Sequence, residues 1–169
     1  MIGTFGALWG GFGVMFLLGF GIFRLFPIAM DAFSYQLEWY HQLCLVANVS
    51  YLAYAEGYRG FQKKFSPRVV ARMKYLKSNP NMKHTLLAPL FCMGYICSTK
   101  QRKILNISLL IGIVFLIVLI RFLNQPWRGI IDVGVVIGLV WGVCSIFLMT
   151  IKAFVGGGTE YNPEIPQRC

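Results

Sequence analysis

GYRGFQKKFSPRVVARMKYLKSNPNMKH, residues 57–84, is the one long polar stretch in this sequence of 169 residues. It carries eight of the sixteen basic residues and no acidic residue. The eight are Arg59, Lys63, Lys64, Arg68, Arg72, Lys74, Lys77 and Lys83. Most of the sequence on either side is apolar. Because basic segments beside apolar spans mark the cytoplasmic face of a membrane, this stretch sets the predicted orientation of the chain.

The overall composition is that of a membrane protein of one domain. Apolar residues make up 57% of the chain and charged residues only 13%, against about 25% charged in ordinary globular domains. The net charge of +10 lies beside hydrophobic segments, where basic residues attract anionic lipid headgroups. No aromatic and basic fold signature accompanies the charge, so we expect no nucleic-acid partner.

Four apolar segments are candidates to cross a bilayer, whose core of about 30 Å needs about 20 helical residues. They are residues 5–23, 37–55, 104–123 and 130–151. The sequence therefore predicts an all-α integral membrane protein, a bundle of about four transmembrane helices, with three or five remaining possible. Arg24 and Pro27 are expected to close the first span.

The distribution of Lys and Arg favours four spans. With four spans, 13 of the 16 basic residues lie on one side of the membrane, against 10 with five spans and 14 with three. Three spans would leave the apolar residues of 37–55 outside the bilayer, so we expect four, with both termini cytoplasmic. The bacterial inner membrane is the default location, and an organelle inner membrane remains open.

The segments between the spans have helical signals of their own. Ser66 and Pro67 predict a helix start, and residues 67–77 form a basic amphipathic helix that we expect to lie flat on the membrane or to dock on a partner subunit. Residues 85–99 are expected to be interfacial or re-entrant. We therefore expect one helical domain, 1–154, followed by a flexible tail, 155–169. The basic side chains expected to contact lipid headgroups or a partner are Arg59, Lys63, Lys64, Arg68, Arg72, Lys74 and Lys77.

Glycines spaced four apart predict close helix packing in two spans. Gly6 and Gly10 lie in the first span, and Gly134, Gly138 and Gly142 lie in the last. Small residues at this spacing let two membrane helices approach closely. We expect the glycine face of the last span to pack against the first span.

Four polar residues in or near the spans are candidates for a site: Glu38, His41, Asn48 and Asp132. Ionisable groups inside a membrane are functional candidates by default. Each residue also has a structural explanation. Glu38 and His41 fit the headgroup level, Asn48 fits an interhelical hydrogen-bond donor, and Asp132 can pair with Arg128 four residues away.

Catalytic motifs are missing from the sequence. It contains no HExxH, no phosphate-binding GxxxxGK[ST], no CxxC and no GxSxG, so we expect no enzyme activity, no cofactor and no metal site. The sequence instead favours a non-catalytic accessory, structural or assembly subunit of a larger membrane complex. The alternative is a small homo-oligomeric transporter or channel with a polar path through the bundle.

Overall fold

The computed structural model describes residues 2–79, 85–96, 98 and 100–155, and this part of the chain is all-helical, with 90% helix and no strand. The predicted tail beyond Val155 and the residues Lys83 and His84 lie outside the described residues. The helices are α1 (Ile2–Asp31), a short 3-10 turn (Ala32–Ser34), α2 (Trp39–Leu52), a π-helical segment (Ala53–Phe65), α3 (Ser66–Ser78), α4 (Ala88–Met93), α5 (Lys100–Arg121) and α6 (Trp127–Val155).

Two helical segments are long and apolar enough to cross a membrane, Gly3–Ser34 and Trp127–Val155. The first corrects the prediction that Arg24 and Pro27 close the span, because α1 continues through both residues to Asp31. Pro27 lies only four residues before the end of α1 and removes a single backbone donor. Long apolar helices tolerate a proline when the surrounding structure accommodates the freed carbonyl.

Residues 39–78 form one continuous helical rod made of α2, the π-helical segment and α3, 40 residues in all. This corrects the predicted helix start at Ser66, whose backbone is helical (φ −58°, ψ −43°). The Ser66 N–H donates to the carbonyl of Phe61, five residues back, which is a π-type hydrogen bond. Pro67 has no N–H, and it lies where the hydrogen-bond register changes from π to α.

The rod and α6 run parallel, and α1 runs antiparallel to both. At one end, which we call the aromatic end, the ring of Trp127 lies 4.9 Å from that of His41. At the other, which we call the basic end, the Nζ of Lys77 lies 5.1 Å from the ring centre of Phe154, and Gly3 adjoins the carbonyl of Lys77. Both described chain ends therefore lie at the basic end.

The core of the bundle is built around α3. Val69, Met73 and Leu76 are at most 1% exposed and pack against residues of α1, α4 and α6. The predicted apolar face of 67–77 is thus present, but the prediction that it lies flat on a membrane is wrong. Burial in protein stabilises large apolar side chains by removing them from water, and here the chain's own helices provide that cover.

The glycine faces pack differently from the prediction. Gly134 lies under Asn48, and Gly142 lies under Phe61, so the glycine face of α6 packs against the rod rather than against α1. On α1, Gly10 adjoins Cys92 of α4. In both places the space that the glycine leaves is filled by a side chain of the neighbouring helix, which gives the close packing that folded proteins require. The other two predicted glycines also face side chains of neighbouring segments: Gly138 lies under Glu56, and Gly6 lies beside Thr85.

α5 is separate from this bundle over most of its length. Residues 110–119 are all exposed, and the helix of 22 residues is about 33 Å long at 1.5 Å per residue. Near its start, the amide of Asn106 donates to the carbonyl of Gly94 at 3.0 Å. Gly94 ends α4 with a left-handed backbone (φ 86°), a conformation that glycine adopts without the steric cost of a side chain.

Candidate functional site

Three polar side chains of the rod face α6 at spacings of seven and eight residues. We call His41, Asn48 and Glu56 the polar line. Residues separated by about two helical turns lie on the same side of a helix, so the three form one row along the interface. They lie against Trp127, Gly134 and Gly138 of α6, respectively.

Asn48 makes the hydrogen bond that connects the two helices. Its amide nitrogen donates to the carbonyl of Ile130 at 2.8 Å, which confirms the predicted interhelical donor. A Cβ built on Gly134 would lie 2.5 Å from the same nitrogen. Glycine at position 134 therefore gives the Asn48 amide the space that it needs to reach α6.

We expect Asn48→Ala to lower the free energy of unfolding by about 1 kcal/mol, since hydrogen bonds between membrane helices contribute about 0.6 kcal/mol on average and up to about 1.7. Thermal or denaturant unfolding in detergent measures the change. Ser50→Ala is the matched control, because Ser50 is an exposed polar residue of the same helix. Equal stability of the two variants would contradict a structural role for this hydrogen bond.

His41 is enclosed by aromatic rings at the aromatic end. It is 7% exposed, and its ring centre lies 4.2 Å from that of Tyr40 and 4.9 Å from that of Trp127. Its Nδ1 is buried without a hydrogen-bond partner among the described residues. Glu38, by contrast, is exposed and precedes the first turn of α2. The structure therefore separates the two residues that the sequence placed on one helix face.

Asp132 forms the local pair expected from the sequence. It is 5% exposed, and its carboxylate lies 3.9 Å from the Nε of Arg128, one turn earlier in α6. The two charges partly compensate each other, as ion pairs four residues apart do in helices. Asp132 does not belong to the polar line, so the structure brings together only His41 and Asn48 of the four polar candidates.

Glu56 is the residue of this row that sequence reasoning did not select as a site. It is half-buried, and a Cβ built on Gly138 would lie 3.2 Å from its carboxylate oxygen. Its spacing of eight residues from Asn48 is the sequence feature that could have identified Glu56 as part of the polar line. Six residues beyond Glu56, the side-chain carbonyl of Gln62 accepts a hydrogen bond from the indole N–H of Trp141 at 2.9 Å. Polar side chains of the rod therefore share this interface with Leu52 and Phe61, which contact the same glycine face of α6.

The predicted basic residues fall into different environments. Four of them are exposed: Arg59, Lys63, Lys64 and Lys77. Two are half-buried, Arg68 and Lys74. Arg72 is 3% exposed, so the expectation that it meets lipid headgroups or a partner at an open surface is wrong. Its position on the inner face of α3, beside the apolar core residues, explains the burial.

Arg72 is held in place by backbone carbonyls. Its Nη1 donates to the carbonyl of Phe91 at 2.7 Å and to that of Ile96 at 3.0 Å. Its guanidinium also lies 5.3 Å from the centre of the Phe91 ring, a cation–π distance. These contacts tie α3 to α4 and to the residues that follow α4.

Cys92 lies near Arg72 but is not suited to nucleophilic chemistry. Burial raises the pKa of the Cys92 thiol to about 12, although the positive charge of Arg72 acts in the opposite direction. Because the thiolate is the reactive form of cysteine, this thiol is unreactive near neutral pH. Its contact with Gly10 instead gives it a packing role.

The described residues contain no group of three or more His, Cys, Asp or Glu side chains placed to hold a metal ion. No protein-family model, curated protein or solved structure matches this chain.

Proposed function

We propose that the chain is an integral membrane protein with four spanning helices: α1, the first half of the rod, α5 and α6. The length and apolar character of α1 and α6 support this. So does the outer face of α1, where large side chains such as Phe12, Phe16 and Phe23 are 60–77% exposed. Soluble monomers rarely expose apolar patches of this extent, whereas lipid tails cover such a face without cost.

The proposed orientation places the basic end in the cytoplasm. Lys77 and Lys152 lie at this end. The sequence count of 13 basic residues on this side includes Arg59, Lys63 and Lys64. The rod instead holds these three near the middle of α6, where Phe61 packs on Gly142. The proposed orientation therefore rests on Lys77 and Lys152, in agreement with the bias of cytoplasmic segments toward Lys and Arg. The proposed location is therefore a bacterial inner membrane, with both termini cytoplasmic.

Within that membrane, we propose that the protein is a non-catalytic accessory or assembly subunit of a larger complex. The observation that carries this proposal is the exposure of α5: residues 110–119 are uncovered on every side, while α1, the rod and α6 pack on one another. A helix that is apolar all round fits either a lipid or a protein environment.

Small residues on α5 favour a protein partner for this helix. Ser108 and Gly112 lie four residues apart, and both are exposed. A Cβ built on Gly112 would meet nothing within 4 Å, so this glycine serves no packing purpose within the described chain. In membranes, small residues at this spacing are typical of helix–helix interfaces. We propose that a helix of another subunit packs there.

We expect Gly112→Leu to release the partner subunit while leaving the isolated chain unchanged. The added side chain has open space within the chain, so the melting temperature of the purified protein should stay the same. It would keep a partner helix from approaching Ser108 and Gly112, so the fraction of protein in a hetero-complex should fall at least tenfold. Extraction in mild detergent followed by native mass spectrometry measures both the partner and its stoichiometry.

Ile113→Leu is the matched control, since it conserves volume at the adjacent exposed position, and it should keep the complex intact. A complex that survives Gly112→Leu would contradict the proposed contact. A pure homo-oligomer of the wild-type protein would contradict the accessory role and favour the transporter alternative, for which the polar line is the group of residues to mutate next.

A further inference from the structure

The rod carries three exposed basic side chains at the level of the middle of α6. They are Arg59, Lys63 and Lys64 of the π-helical segment, and we call them the central basic face. Their neighbour Gln62 accepts a hydrogen bond from Trp141 at 2.9 Å. Trp141 is the middle residue of α6, and it lies about 21 Å from either end of that helix at the α-helical rise per residue. The central basic face is therefore far from both the aromatic end and the basic end.

The central basic face points away from α6. Gly57 and Phe61 of the π-helical segment face α6. Arg59 and Lys63 each follow one of these residues by two positions, which is about half a helical turn, so they lie on the opposite side of the rod. Apart from its neighbours in the rod, the π-helical segment packs mainly on α6. The outward side is thus uncovered in the described part of the chain.

In the proposed membrane, this depth is unfavourable for an uncovered charge. The middle of α6 would lie within a hydrocarbon core of about 30 Å, where charged side chains face the interior of a bundle or pair with opposite charges. Lysine near a helix end reaches the headgroups with its long side chain. The Nζ of Lys63 instead lies 4.6 Å from the ring centre of Tyr58, which holds the ammonium beside the rod. Lipid tails are therefore unsuited to cover this face.

The described part of the chain does not supply the missing negative charge. None of the three basic residues forms an ion pair with a described carboxylate, and α5 contains no acidic residue. Asp31 and Glu38 are exposed but lie at the aromatic end. Glu56 is half-buried against α6, and Asp132 is buried. A second copy of the chain, in either orientation, would thus bring no described exposed carboxylate to this depth.

Tyrosines extend the same face in a way that is typical of protein interfaces. Tyr51 and Tyr54 are 68% and 58% exposed, and the ring centre of Tyr54 lies 5.9 Å from that of Tyr58 in a stacked arrangement. Tyrosine and arginine are enriched where proteins contact each other. Covered tyrosines also pair their hydroxyl groups with polar partners. These residues favour a protein partner with polar side chains.

We propose that the central basic face binds a membrane-embedded helix of a different protein, one that carries Asp or Glu side chains at the middle of the bilayer. This inference rests on the proposed spanning arrangement and describes a contact separate from the one at Gly112 of α5. Arg59 is suited to hold a carboxylate with two parallel N–H groups, and the two lysines add positive charge beside it. Complementary charges at this depth select one partner among many apolar helices.

The first test is cross-linking in native membranes with a membrane-permeant carbodiimide. This reagent joins a lysine amine to a carboxylate as an amide and takes up the water that is released, and mass spectrometry of the digested product identifies both residues. We expect Lys63 or Lys64 to be joined to an Asp or Glu within an apolar segment of another protein. A product with Glu160 or Glu164 of this chain, a product with a second copy, or no product at either lysine would overturn the proposal.

Two double variants then separate the charge from the amine. Lys63→Arg/Lys64→Arg keeps both charges, so the cross-link should disappear while native mass spectrometry still finds the hetero-complex. Lys63→Gln/Lys64→Gln removes both charges, and the fraction of protein in the complex should fall about tenfold because the partner carboxylates lose their counter-charges. Lys77→Gln is the matched control, since Lys77 is exposed and also lies over an aromatic ring, that of Phe154, but at the basic end. It should keep the complex.

The melting temperatures of the purified variants show that each one folds, and exposed substitutions of this kind should change them little. A hetero-complex that survives Lys63→Gln/Lys64→Gln, or one that is lost equally in the arginine variant, would refute the role of charge and leave the accessory role standing. A wild-type protein that forms no hetero-complex would overturn this inference and the accessory role together.

Discussion

Replacing Arg72 by Met should lower the free energy of unfolding by about 2–4 kcal/mol, because hydrogen bonds to charged groups contribute about 1.5–3 kcal/mol each and a buried carbonyl left unpaired adds a further cost. Arg72 donates to two carbonyls, those of Phe91 and Ile96. The carbonyl of Phe91 keeps its bond from the Gly94 N–H, so the loss is concentrated at Ile96. The cation–π contact with Phe91 is lost as well.

The matched control for this variant is Arg59→Met, which makes the same chemical change at an exposed position of the rod. Exposed substitutions of this kind usually change stability by less than about 0.5 kcal/mol. Unfolding of the purified variants in detergent, followed by circular dichroism, compares the two. A difference between the variants smaller than about 1 kcal/mol would show that Arg72 does not connect α3 to α4 as the structure indicates.

Replacing Gly142 by Leu should destabilise the protein by about 3 kcal/mol, the upper end of the usual cost of overpacking. A Cβ at position 142 would already lie 2.7 Å from two ring carbons of Phe61, before the rest of the leucine side chain is added. Phe61 is itself held edge-on against Phe65, with ring centres 5.6 Å apart. The ring has little room to move away, so the rod and α6 would have to separate.

Gly19→Leu controls for the general effect of removing a glycine from a long apolar helix. A Cβ at Gly19 would meet nothing within 4 Å, so this variant should be as stable as the wild type or slightly more stable, because leucine has the higher helix propensity. Thermal melting of both variants in one detergent provides the measurement. If Gly142→Leu melted at the temperature of Gly19→Leu, the close contact between α6 and Phe61 would be refuted.

The sequence predicted the helical class, the two longest apolar helices and the contacts that need only local information. The Arg128–Asp132 pair is one turn apart in α6, and the apolar face of 67–77 follows from helical periodicity alone. Asn48 was identified as an interhelical donor because few polar residues can lie so deep in an apolar helix without a partner.

The predictions from the sequence were wrong where they had to assign a packing partner to a helix face. An amphipathic helix buries its apolar face equally well against lipid or against protein, and its pattern alone does not distinguish them. The same holds for a glycine face, which accepts any side chain of the right shape: α6 meets Leu52 and Phe61 of the rod rather than a glycine face of α1. The continuous helix through Ser66 was missed because a π-type register removes the break that Pro67 normally signals.

The packing of α4 on the glycine face of α1 has a consequence for biosynthesis. Gly10 lies near the start of the chain, and its neighbours Ala88 and Cys92 follow about 80 residues later. At about 5–20 residues per second, the ribosome needs roughly 4–16 s to add that length. During this interval the newly made α1 has its contact face open to any other helix with small side chains. Because α4 is made later than α1, this contact face of α1 stays uncovered until α4 has been synthesised.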